Sequence, residues 1–540
     1  MTVFEYGNDI VILDMGLQFP EEDMLGIDYI IPNIEYLKGK ERNIRGVIFS
    51  HGHLDHIGAA PILLEKLGNP PIVGMNLTLA MVKHKVEDYK ANSSKTLKTV
   101  LIKSINDRIQ LGAFKVSFFQ IEHSIMDAVG VILESPCGTV IHPGDWTMER
   151  DKETKRPILD YSHLSKLKRP TMLLLESLGM VSHRASPTAA DLRANLETLI
   201  SQSAGRIIIG TFASQVERIG WIIAICEKLG KKVFLDGYSM KFNIEIAREL
   251  GYIKSKKDTF LKIDQVNQFP DNKIVVICTG AQGEENAVLS RVIEGSHRFL
   301  KIKKDDTIVL SSSIIPGNER TVQRLKDNLY RQCDNVIHGN LMDIHISGHG
   351  TKDDIAEMLR LIKPDYYIPV YANYYMLKEA EKMAKSIGFN PKNIFVPDNG
   401  MVIEFDKSGF RSNKERVPAN YVFVDGMGVT DSSNNVVLRD RKMMSEDGMV
   451  VVIATIDSQS GELIGSPDII SRGFILMKDN QDLIQKTRAK IRLIVKNRPQ
   501  PQPGMTDDDY IKNKLRGDIG QFLFQETRRR PLLMPVIIRV

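Results

Sequence analysis

His51-Gly52-His53-Leu54-Asp55-His56 puts three imidazoles and a carboxylate into six residues. The apolar run Val47-Ile48-Phe49 leads into it, and a helix-like stretch from Ile57 to Leu67 leads away. That order reads as a metal site at the end of a strand. Neutral imidazole and carboxylate suit zinc or a similar first-row ion. His51 and His53 are separated by one residue, so an extended segment projects both to the same side, where they share one ion. Asp55 and His56 then face a second. A solvated, histidine-rich turn is the competing reading, but four ligand groups at this density seldom gather without a metal.

The 540 residues allow three or four domains, and 42% hydrophobic with 26% charged residues is the composition of cored, globular chains. No apolar run approaches the ~18 residues of a membrane span, and Met1 to Asp14 lacks the basic-then-apolar order of a signal peptide. A cytoplasmic protein without a membrane partner is expected. Cys137, Cys226, Cys278 and Cys333 are far apart and lie in or beside apolar segments, which predicts buried, reduced thiols. The net charge of +5 is too small over this length to announce a nucleic-acid binder, but it is unevenly spread. From Gln481 to Val540 there are 13 Lys and Arg against 6 Asp and Glu. A solvated helix face and contact with an acidic partner both account for that excess.

Outward from the histidine motif, apolar strands deliver polar residues to their ends. Ile10 to Leu13 ends at Asp14, Phe114 to Ile121 leads to His123, Val140-Ile141 to Asp145, and Met172 to Leu175 to Glu176. From Pro187 the pattern becomes repeated βα: helices at Ala189–Ser203, Gln215–Leu229 and Lys241–Leu250, strands at Arg206–Gly210, Lys232–Leu235 and Lys273–Cys278. Such alternation implies a parallel sheet covered on both faces, with ligands beyond the C-terminal strand ends. Helix Lys352–Ile362 and strand Tyr366–Val370 follow. Lys407 to Val417, polar and containing glycine, reads as a linker, and Met449–Ile456 with Leu463-Ile464 as a hairpin. Helices Asp482–Lys496 and Asp508–Glu526 flank the stiff connector Arg498 to Pro503, before strand Pro535–Arg539.

Residues 51–58, HGHLDHIG, resemble the second signature of the metallo-β-lactamase superfamily, and almost the whole chain is similar to the ribonuclease J family of β-CASP nucleases. The resemblance implies an α/β chain. An αββα metallo-β-lactamase sandwich occupies residues 1–184 and 331–415, with an inserted parallel α/β β-CASP domain at 185–330. A linker follows at 416–445, then a small α+β dimerisation domain at 446–540. It also implies a ligand set: His51, His53 and His123 on one zinc or manganese ion, Asp55 and His56 on the other, and Asp145 bridging both. Asp14 would orient a ligand histidine from behind. Glu176 stands where the family has an acidic proton donor, and His349 where it has an acid–base histidine. Ser214 and the loop His345-Ile346-Ser347-Gly348-His349 would bind RNA phosphate. Gly26, Asp28 and Asp440 would hold a structural calcium.

The chain departs from the family pattern in four places. Tyr371 stands where the last ligand of the second ion is a histidine, and His349 is the last of the twelve histidines, so none follows to replace it. Tyr238 and Glu217 replace an arginine and a histidine that could face RNA. Only about a dozen residues precede Asp14 where a Gly-rich strand is usual, which suggests a truncated or misassigned start and an exposed sheet edge. The activity implied is 5′ to 3′ exonuclease and endonuclease cleavage of single-stranded RNA in processing and decay, by a homodimer or homotetramer or with a paralogous ribonuclease. The rival is a catalytically weakened paralogue that binds RNA or scaffolds an active partner. Tyr371, Tyr238 and Glu217 favour the rival, and the eight intact site residues favour the enzyme.

Overall fold

The computed structural model describes the chain except for residues 22–23, 152, 182–187, 257, 285, 316, 340–341, 343–347, 407–408, 427, 432–435 and 498–505. Two compact units result: residues 1–18 with 31–420, and residues 19–30 with 421–540.

In the larger unit, a five-stranded sheet orders Thr2–Tyr6, Asp9–Leu13, Ile44–Ile48, Ile72–Gly74 and Thr99–Leu101. A six-stranded sheet orders Tyr366–Val370, Thr171–Glu176, Thr139–His142, Val129–Glu134, Phe114–Gln120 and Arg108–Leu111. Period-2 alternation explains their stacking. Phe114, Val116 and Phe118 face the first sheet, where they bury against Val11, Leu13, Ile48 and Val73. From the opposite face of the same sheet Phe119, Ile132, Leu173 and Leu175 meet Ile355, Leu359 and Ala380 of the helices Lys352–Ile362 and Tyr374–Ser386. The segment before Asp14 does contain a strand: Thr2–Tyr6 pairs antiparallel with Asp9–Leu13 and forms the sheet's edge.

The insert is a six-stranded, all-parallel sheet in the order Phe260–Leu261, Lys232–Asp236, Ile274–Cys278, Ile207–Gly210, Thr307–Leu310 and Asn335–His338. Both faces are covered, so its strands read as nearly continuous apolar runs. Ile207, Ile209, Val233 and Val275 face the helices Ala189–Gln202, Val216–Lys228 and Tyr238–Glu249. Ile208, Phe234 and Val276 face Val288–Ile293 and Glu319–Tyr330. Thr188 opens the first of these helices with a capping box closed by Asp191.

The smaller unit contains a sheet in the order Asp468–Arg472, Met449–Ile456, Leu532–Arg539. Val450, Val452, Ile469 and Leu533 pack against Ile484, Ile491, Ile511 and Leu515 of the helices Gln481–Lys496 and Asp507–Thr527. The opposite face leaves Ile470, Met534, Val536 and Ile538 exposed.

Three expectations need correction here. Gly409–Arg416 is a strand, paired antiparallel with Met401–Asp406, and not a linker. Its polar, glycine-containing sequence does not prevent pairing, because the ladder bonds are made by the backbone. Residues 416–445 likewise contain strands Val422–Asp425 and Gly428–Asp431 and most of helix Val436–Asp447. The strand Met449–Ile456 pairs with Asp468–Arg472, whereas Leu463 makes only an isolated bridge to Ile456. The Arg498 to Pro503 connector lies outside the described residues. Cys226, Cys278 and Cys333 are buried, Cys137 is half-buried, and all four are free. Among the described residues no helix is long and apolar enough to cross a membrane.

Candidate metal centre

The centre is assembled by strand ends. Ile48 pairs with Leu13 and Val73, which sets Asp14 beside Ser50 at one rim of the sheet. The chain then turns through His51 and Gly52 into a short helix, Leu54–Ile57, that carries Asp55 and His56. Gly16 is required beside it: a Cβ there would lie 1.5 Å from the Asp55 carbonyl oxygen. The close approach lets the Met15 amide donate to the His56 carbonyl at 2.7 Å.

Asp14 is 1% exposed and in a left-handed conformation, with φ 58°. It accepts from the Ser50 amide and the Ser50 hydroxyl, both at 2.8 Å, and its Oδ2 lies 2.8 Å from His56 Nδ1. A carboxylate only accepts, so His56 donates a proton from Nδ1 and points Nε2 outward. The same logic runs through Ser50. Its hydroxyl proton goes to Asp14, so its oxygen accepts from His51 Nδ1 at 3.0 Å and frees His51 Nε2. His123 Nδ1 donates to the Gly348 carbonyl at 2.8 Å, which frees His123 Nε2. Gly348 also needs to be glycine, since a Cβ would stand 2.8 Å from the His123 ring.

The freed nitrogens converge. His53 Nδ1 lies 3.1 Å from His51 Nε2 and 3.0 Å from His123 Nε2. Ligands around a tetrahedral zinc at about 2.0–2.1 Å stand about 3.3 Å apart, so the three imidazoles fit one ion. Asp145 Oδ2 is 4.0 Å from His51 Nε2, while Asp145 Oδ1 is 3.2 Å from His56 Nε2. Asp55 Oδ2 lies 3.6 Å from that same Nε2. Two donor groups therefore share Asp145: His51, His53, His123 and Asp145, and Asp55, His56 and Asp145. Such imidazole and carboxylate sets suit zinc or manganese.

Burial holds the His51 imidazole well below its usual range, and takes His53 and His123 down to about 3. They are in the neutral form a metal requires. At His56 burial works in the same direction but is outweighed by Asp145, Asp55 and Asp14, so its pKa is raised well above 6.5. Burial would raise Asp145, yet His56, His349 and His51 hold it well below the ordinary carboxylate value.

A third group adjoins the first two. His349 Nδ1 is 2.8 Å from Glu176 Oε1 and 3.9 Å from Asp145 Oδ2. Glu176 is buried, and the Trp146 amide donates to its Oε2 at 3.3 Å. Burial pushes Glu176 up against the pull of His349. Burial lowers His349, but Glu176 and Asp145 bring it up to about 10, so the pair holds a proton at neutral pH.

Tyr371 follows the strand Tyr366–Val370 in a left-handed conformation, φ 57°. Its ring meets that of His56 edge-on at 5.5 Å. The hydroxyl is buried without a well-formed hydrogen bond, although Thr2 lies beside it. Burial, with Asp14 and Asp145, raises this phenol well above 10, which keeps it neutral in the metal-free chain. His142 is also buried, accepts from the Gly144 amide at 2.8 Å and packs 5.2 Å from the Tyr371 ring.

Other expected site residues are elsewhere or not described. Ser214 lies in the turn after the Ile207–Gly210 strand, where its carbonyl accepts from the Val216 amide. His345, Ile346 and Ser347 lie outside the described residues. The expected calcium ligands are otherwise engaged: Asp28 accepts from the Gly426 amide at 2.7 Å, and the Gly26 carbonyl accepts from Arg441 at 3.0 Å. Asp440 lies 3.5 Å from its neighbour Arg439. A guanidinium thus faces Gly26, and calcium there would require Arg441 to withdraw. Ser50 and the Gly348 carbonyl were missed by sequence reasoning, since nothing in a lone serine or a backbone oxygen signals such a role.

Comparison with known proteins agrees with this geometry. The metallo-beta-lactamase superfamily model matches residues 1–208, the ribonuclease J beta-CASP domain residues 204–329, and the ribonuclease J C-terminal domain residues 436–540. Ribonuclease J2 of Bacillus subtilis (strain 168) is 33% identical, covering 100% of this chain and 96% of that protein. Ribonuclease J 1 of Streptococcus pyogenes serotype M3 is 34% identical over 99% of this chain and 94% of its own length. Ribonuclease J 2 of Staphylococcus aureus (strain MRSA252) is 30% identical over 100% and 96%. With full-length relatives of this kind and three successive domain matches along the sequence, the chain belongs to the ribonuclease J family.

Proposed function

We propose that the protein is a metal-dependent ribonuclease that hydrolyses phosphodiesters of single-stranded RNA, from the 5′ end and internally, in RNA processing and decay. The observation that carries this reading is Asp145, whose two oxygens face two separate sets of imidazole and carboxylate donors. Two divalent ions, when bound there, would supply activation of the attacking water and relief of charge on the phosphoryl oxygens. The chain's own residues do the rest. Asp14 and Ser50 fix the tautomers of His56 and His51, and Gly348 fixes that of His123. His349, 31% exposed, holds a proton for the leaving oxygen, and Glu176, buried behind it, keeps that proton in place.

A second ion would be held by Asp55, His56 and Asp145, with the neutral Tyr371 at the position where the family pattern has a further histidine, and would bind more weakly than the first. That observation also favours a second reading, an RNA-binding or scaffold paralogue of an active ribonuclease. Degradation of matched labelled RNAs separates the two. The enzyme cleaves with manganese or zinc and, as its family membership implies, prefers a 5′-monophosphate to a triphosphate end. Equal rates on both ends remove the preference. No cleavage with any divalent metal leaves the scaffold reading.

The exposed outer face of the C-terminal sheet, with Ile470, Met534, Val536 and Ile538, supports a homodimer formed through this unit.

A further inference from the structure

The helix Asn76–Tyr89 runs away from the metal centre. Near its middle Met81 fills the space over Gly52, between the ligands His51 and His53; a Cβ on Gly52 would lie 2.6 Å from its sulfur. Asp88 lies seven residues further, about 10 Å along the axis at 1.5 Å per residue. There the helix meets the first turn of Tyr238–Glu249, which belongs to the parallel-sheet insert. The Tyr238 hydroxyl donates to Asp88 Oδ1 at 3.0 Å, and His84 Nε2 lies 3.2 Å from Asp88 Oδ2. The His84 ring stacks on Phe242 with centroids 3.3 Å apart and an interplanar angle of 10°.

Tyr238 is nevertheless 69% exposed. A scattered surface tyrosine needs no explanation, but this one is fixed without being buried: its hydroxyl is tied to the other lobe, its ring lies 5.8 Å from that of His84 at an interplanar angle of 31°, and the rest of the ring is left to solvent. Lys85 lies close enough to His84 to disfavour a charge on that ring, and Lys83 is exposed on the same helix. A fixed aromatic face beside Lys83 and Lys85, on a helix that also packs against the metal centre, suits a nucleic acid strand. Bases stack on the ring while phosphates pass the ammonium groups, with little dependence on sequence.

We propose that Tyr238 is a stacking platform for a base of the single-stranded RNA held on its way to or from the metal centre. The inference rests on the ribonuclease reading and adds a contact that the metal site does not supply. Asp88 is then a positioning residue, which holds the ring at a set angle to the cleft.

The test uses the full-length chain and a phosphorothioate-linked, 5′-monophosphorylated oligoadenylate carrying single 2-aminopurines, with binding read by anisotropy and base stacking by quenching. Tyr238→Ala is expected to weaken binding about 5- to 100-fold and to abolish the quenching at one position, with melting temperature unchanged. Tyr238→Phe retains the face and is expected to bind within about twofold of the natural chain. Binding and quenching that survive in Tyr238→Ala overturn the proposal. So does a Tyr238→Phe variant as weak as Tyr238→Ala, since the hydroxyl bond to Asp88 would then be a structural bolt between the lobes. If the unaltered chain binds no RNA, the ribonuclease reading fails as well, whereas either Tyr238 result leaves that reading standing.

Discussion

At the scale of single residues, the function depends on where each proton is held. The three imidazoles of the first donor set are already neutral in the metal-free chain, whereas His56 is charged because three carboxylates outweigh its burial. The first ion therefore enters without displacing a proton from its imidazoles, and the second must displace one from His56. Each unit of acidification below the raised His56 value should weaken the second ion by up to about tenfold and leave the first unchanged. Calorimetric titration in two buffers of different protonation enthalpy reads this directly: proton release should accompany the second ion only. Asp14→Asn can no longer accept from both Ser50 and His56, and is expected to weaken the second ion about 10- to 100-fold. Tyr371→His should do the reverse, tightening that ion by more than about tenfold and raising the cleavage rate. Two equally tight ions in the natural chain would mean that Tyr371 or a neighbour already does the ligand's work. That His51, His53, Asp55, His56, His123 and Asp145 come together was legible from the motif at 51–56 and from the family resemblance that placed the last two behind it. Ser50, and the neutral fit of Tyr371 against His142 and His56, were not, since they depend on contacts between distant segments.

At the scale of elements, local periodicity carried most of the fold. The alternation Phe114, Val116, Phe118 gave a strand and the face it buries, and the βα repeats gave a parallel sheet with both faces covered. Phe118→Ala, in the space between the two lactamase sheets, is expected to cost about 3–5 kcal/mol in denaturant unfolding. Lys115→Ala, exposed on the same strand, should stay within about 0.5 kcal/mol. Equal costs would mean that the register is wrong by one residue. What failed was local polarity read as absence of structure, as in Gly409–Arg416, and pairing set by distant residues. Met449–Ile456 runs parallel to Leu532–Arg539, and no local pattern announces a partner that far along the chain.

At the scale of the molecule, the basic excess near the C-terminus is only partly paired within its own unit: Arg539 pairs with Asp507 and Asp508, Lys486 with Asp482, and Lys514 with Asp518, and the 13 Lys and Arg still outnumber the 6 Asp and Glu. The apolar outer sheet face is the better candidate for association. Met534→Lys with Ile538→Lys should give a monomer by light scattering that still takes up metal, because every donor lies outside this unit. A dimer that persists would place the interface elsewhere. The central claim, a two-ion ribonuclease with one tight and one weak site, is tested most directly by stripping the chain of metal and following cleavage of 5′-monophosphorylated single-stranded RNA as manganese is restored. Activity should be absent in the stripped chain, remain low while the first ion fills, and rise with the second. Undiminished cleavage without metal, or none at full loading, would contradict it.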